Sequence, residues 1–149
     1  MTENISSEGY YTDKYEVVLE KANSNNKHKL CFLFPGQGQD FSGMFKDEFS
    51  KYKEFKEIFD KADSFTKKKS LPKISDFLLN HSTLSHNQAQ KIKNLCLITT
   101  ELAFFEVLKS KEIMPSVITG HSIGEFASLV ASGILSLEDT LEFLLYRDS

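Results

Sequence analysis

Two kinds of apolar pattern recur along this chain, short unbroken runs and longer helical stripes. Leu30–Phe34 is continuously apolar and closes at Pro35-Gly36, the pattern of a strand buried on both faces in a parallel sheet. From Phe45 onward, Phe45, Phe49, Tyr52, Phe55, Phe59 and Ala62 recur at steps of 4, 3, 3, 4 and 3 with lysines and glutamates between them, which predicts one amphipathic surface helix. Pro72 breaks the chain before a short Ile74–Leu79 segment. Asn87–Lys109 then predicts a long helix, polar at its start and apolar almost all round from Leu95 to Leu108, hence central. Ser116–Thr119 reads as a second doubly buried strand. It runs directly into Gly120-His121-Ser122-Ile123-Gly124 and a helix through about Ala131, which Gly133 stops. Ser136 and Asp139 resemble a capping box for a last helix whose apolar side is Leu137, Leu141, Leu144 and Leu145.

Residues 1–28 interrupt these patterns. They are polar at both ends around a short Tyr15–Leu19 run, and Asn23–Lys29 has the composition of a linker, so residues 1–28 are expected to form a frayed leader ahead of a domain at 29–149. Two strands of the doubly buried type cannot complete a parallel sheet, and the last helix reaches Ser149 without a glycine or proline to end it. The expected fold class is α/β, with 29–149 as the N-terminal part of a longer domain.

Composition narrows the classes. The 149 residues are 40% hydrophobic and 26% charged, and no apolar run reaches the roughly 18 residues of a membrane span. With 18 basic and 21 acidic residues the net charge is −3, so no global basic field exists to hold nucleic acid. The one lysine run, Lys67–Lys69, reads as a solvated loop. Cys31 and Cys96 sit inside apolar stretches, as buried free thiols do, without metal-ligand or disulfide spacing. Together with an N-terminus that has no basic region followed by an apolar one, this makes a reducing compartment, the cytoplasm, the expected location.

The strongest chemical signal is G-x-S-x-G at 120–124, placed after a strand and before a helix. A tight strand-to-helix turn brings the chain close to its neighbours at both glycines and thrusts the serine hydroxyl out of the sheet. Ser122 is the candidate nucleophile, and the Ile123 amide at the helix N-terminus points to where an oxyanion would form. A plain glycine-rich β-α turn would share this pattern. The second signal, Phe34-Pro35-Gly36-Gln37-Gly38-Gln39-Asp40, could cradle a phosphate, but it matches neither the dinucleotide fingerprint nor the P-loop. It fits better as the second half of an oxyanion hole.

PGQGQ at 35–39, the phenylalanine-rich helix, and MPSVITGHSIGEFASLVASGILSLEDTLEFLLYR from Met114 to Arg147 closely resemble the acyltransferase family typified by malonyl-CoA:acyl carrier protein transacylase. The resemblance covers about 29–149. It implies an α/β-hydrolase-like acyltransferase domain with a short parallel sheet, a nucleophile elbow and surrounding helices, whose ferredoxin-like subdomain is absent from this chain. It further implies that Ser122 takes the acyl group and that the Gln37 and Ile123 amides form the oxyanion hole. His121 is the motif's histidine beside the nucleophile, grouped with the substrate side and equally readable as a packing residue. Arg147, 25 positions past the serine, would hold the free carboxylate of malonyl; outside the family register it would be an ordinary cation in a last helical turn.

The implied function is transfer of malonyl from malonyl-CoA to the phosphopantetheine thiol of an acyl carrier protein, in fatty acid or polyketide synthesis. Coenzyme A thioester enters as substrate, with no bound cofactor, no metal, and no nucleic-acid or membrane partner. Asp40 stands where the family usually has glutamine, and Asn94-Leu95 where Gln-Pro commonly opens the central helix. The family's general-base histidine falls beyond residue 149. Of His28, His81, His86 and His121, none follows Ser122, so the chain alone is expected to be inactive, with the missing half supplied by the same or another chain. The alternatives are an inactive remnant that only binds a carrier or partner protein, and a serine hydrolase.

Overall fold

The structure, a computed structural model, describes residues 10–12, 15–17, 29–38, 43–80 and 86–147. Ten elements follow one another: β1 (Tyr10–Thr12), β2 (Tyr15–Val17), β3 (Cys31–Phe34), α1 (Lys46–Lys51), α2 (Lys53–Lys68), α3 (Ile74–Leu79), α4 (His86–Ser110), β4 (Val117–Gly120), α5 (Gly124–Ala131) and α6 (Leu137–Arg147). Within the stretch expected to be a polar leader, β1 and β2 pair antiparallel, Tyr10 with Val17 and Thr12 with Tyr15. The rest of residues 1–28 lies outside the described residues.

The site rests on β3 and β4, which pair parallel from Cys31 opposite Val117 to Phe34 opposite Gly120. Both were expected to be buried on two faces, and they are not. Phe34 is buried and Phe32 and Ile118 pack against the core, whereas Cys31, Leu33, Val117 and Thr119 are exposed, Leu33 at 65%. Among the described residues this alternation is that of a sheet covered by helices on one side, because a strand is doubly buried only where a second layer covers its other face. The exposure of Cys31 overturns its reading as a buried thiol. Cys96 is buried.

The covering layer is built on α4. Every position from Asn94 to Ala103 is buried, as expected for the central helix. Its Phe105 meets the rings of Phe32 and Phe34 at 6.0 and 6.2 Å. The single helix expected from Phe45 is two helices. Tyr52 is extended (φ −107°, ψ 114°) and separates α1 from α2. The break lets Phe45 and Phe55 approach Phe104 from two directions, each at 5.0 Å, so one aromatic cluster joins α1, α2 and α4. Lys67 and Lys68 end α2 instead of forming a solvated loop. Lys68 pairs with Glu138 at 2.8 Å and Lys69 with Glu142 at 2.6 Å, which ties α2 to α6. Among the described residues, no helix is long and apolar enough to cross a membrane.

Candidate active site

Ser122 sits at the apex of the turn between β4 and α5 with φ 55°, a left-handed conformation that L-residues with a side chain seldom adopt. Surrounding contacts fix it there. The His121 N–H donates to the Phe34 carbonyl at 3.0 Å, the Gly124 N–H to the His121 carbonyl at 3.0 Å, and the Glu125 N–H to the Ser122 carbonyl at 3.1 Å. The flanking glycines are required by proximity. A Cβ on Gly120 would fall on the Gly124 carbonyl, and one on Gly124 would fall on the carbonyls of Phe34 and Pro35. The start of α5 is thereby pressed against the end of β3, and the Ser122 side chain is exposed beyond the sheet.

The loop after β3 faces this turn. A Cβ on Gly36 would lie 2.9 Å from His121 Nδ1 and 3.1 Å from the Ser122 Cβ, so the loop and the elbow are in direct contact. Gln37 follows, and its Nε2 donates to Oδ1 of the buried Asn94 on α4 at 2.7 Å. This hydrogen bond joins the loop after β3 to α4 at the position where the chain departs from the family's usual Gln-Pro. Among the described residues, neither the Gln37 nor the Ile123 backbone N–H is bonded to an acceptor. The Ile123 side chain is buried, which holds its peptide in place at the N-terminus of α5. The arrangement offers an exposed hydroxyl and two unengaged amide donors from adjoining turns, the components from which an acyl-transfer site is made.

Arg147 is the last residue of α6 and is exposed. α5 and α6 run back on one another through the turn around Gly133, with the Phe126 and Phe143 rings 5.1 Å apart. Phe126 lies one helical turn after Ser122 and Phe143 one turn before Arg147, so Ser122 and Arg147 share one end of this helix pair. Gln39, Asp40, His28 and His81 lie outside the described residues, as does the side chain of His86. Among the described residues, no side chain is hydrogen-bonded to the Ser122 hydroxyl, and no group of three or more His, Cys, Asp or Glu is placed to hold a metal ion.

One buried acidic side chain is not anticipated by the sequence pattern. Glu101 lies on α4 inside the apolar run, 8% exposed, and neither carboxyl oxygen has a hydrogen-bond partner. Burial pushes its carboxyl up to about 8. A lone acidic residue between Thr100 and Leu102 was the available signal. Glu101 lines a cleft of about 400 Å³ between β3 and α4, and none of residues 120–124 borders it.

The acyl transferase domain family matches residues 31–149. The chain belongs to that family. It is 39% identical over 113 residues to the malonyl CoA-acyl carrier protein transacylase of Bacillus subtilis (strain 168), covering 76% of this chain and 34% of that protein. It is 31% identical over 138 residues to the non-reducing polyketide synthase Dhc5 of Alternaria cinerariae, covering 90% of this chain and 7% of that one. Among solved structures, the acyl transferase domain of ZmaA superposes with a TM-score of 0.72 at 25% identity, over 85% of this chain and 30% of that one. The malonyl CoA-acyl carrier protein transacylase from Clostridium perfringens superposes with a TM-score of 0.71 at 26% identity, over 81% and 37%. This acyltransferase-family chain therefore spans about a third of the length of its Bacillus relative. Its two parallel strands, elbow and helices are the fold of the N-terminal part of an α/β acyltransferase.

Proposed function

We propose that Ser122 carries a malonyl group from malonyl-CoA to the phosphopantetheine thiol of an acyl carrier protein. The observation that carries this reading is the left-handed, exposed Ser122 beside the unengaged amides of Ile123 and Gln37. In the first half-reaction the Ser122 oxygen attacks the thioester carbonyl and gives its proton to a general base supplied by polypeptide outside the described residues. The carbonyl oxygen becomes an oxyanion that accepts from the two amides, each such donor contributing roughly 10²–10³-fold to the rate. Collapse expels the coenzyme A thiolate, which takes a proton, and leaves malonyl-Ser122. In the second half-reaction the carrier thiolate attacks this ester, and the Ser122 oxygen leaves and is reprotonated. Arg147, at the same end of the α5–α6 pair, receives the malonyl carboxylate in a charge-assisted pair. The reaction uses no bound cofactor, and it takes place in the cytoplasm, in fatty acid or polyketide synthesis.

The 39% identity to a malonyl transacylase supports this reading over hydrolysis. The test is transfer itself. A complete domain carrying this sequence, given malonyl-CoA and a holo carrier protein, should add one malonyl unit to the carrier. Release of free malonate at the same rate without carrier loading would identify a hydrolase instead.

A further inference from the structure

α6 carries Arg147 and α5 begins at the elbow, so the contact that couples these two helices sets how far the arginine stands from Ser122. Most of what anchors α6 leads elsewhere. Leu141 and Leu144 are fully buried, and Lys68–Glu138 and Lys69–Glu142 tie the helix to α2. α5 is anchored by Ile123 and Ala127, which are also buried. Between the two helices, the one ring contact among the described residues is Phe126 on Phe143, with centroids 5.1 Å apart and planes inclined by 33°. Phe126 is locked to the elbow, since its N–H donates to the Ile123 carbonyl and that of Glu125 to the Ser122 carbonyl, both at 3.1 Å. Phe143 precedes Arg147 by about one turn of α6. The pair therefore lies one turn in from both functional groups. Phe143 is nonetheless 48% exposed, so its ring adds little to the core that already holds α6.

We propose that the Phe126–Phe143 pair is the spacer between the nucleophile and the carboxylate clamp, and that Phe143 is a positioning residue which makes the site selective for a dicarboxylic acyl group without touching it. The inference rests on the acyl-transfer reading, in which Arg147 receives the malonyl carboxylate. A malonyl thioester must present its carbonyl to Ser122 and its carboxylate to Arg147 at once, and a single methylene separates the two. A substrate that short tolerates little error in the span, and misplacement by about 1 Å can cost on the order of 10²-fold in rate. An acetyl group makes only the first of these contacts. The span therefore matters for malonyl and not for acetyl. Stacked or tilted rings prefer defined relative geometries and contribute beyond the area they bury, so a ring pair holds such a span better than aliphatic contact does.

The test is a set of variants of a complete domain carrying this sequence, assayed with malonyl-CoA and with acetyl-CoA. Phe143→Ala should lower malonyl kcat/KM roughly 10-fold and leave acetyl kcat/KM at the wild-type level. Phe143→Tyr, which keeps the ring, should keep the wild-type ratio of the two. Phe143→Gln, a good helix former without a ring, should behave as alanine does and serves as the loss variant if the alanine protein melts early. In the Arg147→Ala background, Phe143→Ala should cost malonyl transfer nothing further, because the span then has no clamp to hold. Equal losses for malonyl and acetyl, a tyrosine variant as impaired as alanine, or additive losses in the cycle overturn the proposal and leave Phe143 a packing residue. Intact mass keeps this result apart from the reading beneath it. A wild type that gains no malonyl unit at Ser122 removes both, whereas an adduct at Ser122 with an unchanged malonyl-to-acetyl ratio in Phe143→Ala removes the spacer alone.

Discussion

Gln37 Nε2 donates to Asn94 Oδ1 at 2.7 Å across 57 residues of sequence, joining the loop after β3 to the buried part of α4. This bond fixes the direction of the Gln37 peptide, and the Gln37 N–H is one of the two donors assigned to the oxyanion. Replacing Asn94 by Ala should lower the transfer rate about 10-fold with little change in substrate KM, since the bond contributes roughly 0.5–1.5 kcal/mol. Gln37→Ala should cost a similar amount. The double variant should cost no more than either alone, as expected for two ends of one interaction. Rate measurements on the four proteins of this cycle decide the point, and strict additivity would show that the side-chain bond does not position the loop.

The glycines around the elbow separate stability from activity. Gly124→Ala sets a methyl group onto the Phe34 and Pro35 carbonyls, which cannot move without opening the β3–β4 pair, and thermal melting should show a loss of roughly 1–3 kcal/mol or more. Gly36→Ala meets the His121 ring nitrogen at 2.9 Å, the His121 carbonyl at 3.0 Å and the Ser122 Cβ at 3.1 Å, wider contacts than those at Gly124 but ones that press on the elbow itself. Its melting temperature should fall less, while transfer falls sharply because Ser122 is displaced.

Much of this geometry was legible because it is local. The turn at 120–124 is dictated by five consecutive residues, and the fit of Ser136 to a capping box is met by its Oγ accepting from the Asp139 N–H at 3.0 Å. What was not legible depends on partners far along the chain. No local rule pairs Gln37 with Asn94. The break at Tyr52 accompanies the convergence of Phe45 and Phe55 on Phe104 of α4, and periodicity alone cannot distinguish that from a continuous stripe. The apolar runs at Leu30–Phe34 and Ser116–Thr119 do encode strands. Leu33 and Val117 are nevertheless exposed, because burial of a strand's second face depends on a layer that the run itself does not specify.

Glu101 gives a pH signature. Its folded carboxyl titrates near 8 against 4.5 for an ordinary glutamate, so the folded state holds the proton more tightly than the unfolded state. Its contribution to stability is therefore fully present below about pH 4.5 and is lost as pH rises to about 8, a change on the order of a few kcal/mol. Denaturant melts of the wild type and Glu101→Gln across that window should diverge, with the variant losing less stability as pH rises. Parallel curves would mean that Glu101 is solvated or paired.

Arg147 sets the choice of acyl group in the proposed reaction. A malonyl thioester differs from an acetyl thioester by one carboxylate, so Arg147→Ala in a complete domain should lower malonyl kcat/KM by roughly 10²-fold. Acetyl transfer should stay level, because a neutral acyl group offers no carboxylate for the guanidinium to hold. Equal losses for the two substrates would assign Arg147 a structural part at the end of α6.

The most direct measurement is the intact mass of a complete domain after incubation with malonyl-CoA, followed by mapping of the modified residue. The wild type should gain one malonyl unit, bound as an ester at Ser122. Ser122→Ala should gain none while melting as the wild type does, since alanine at that position keeps the same left-handed turn. A malonyl adduct that persists in Ser122→Ala, or one that maps to another residue of the wild type, would contradict acyl transfer through the elbow serine.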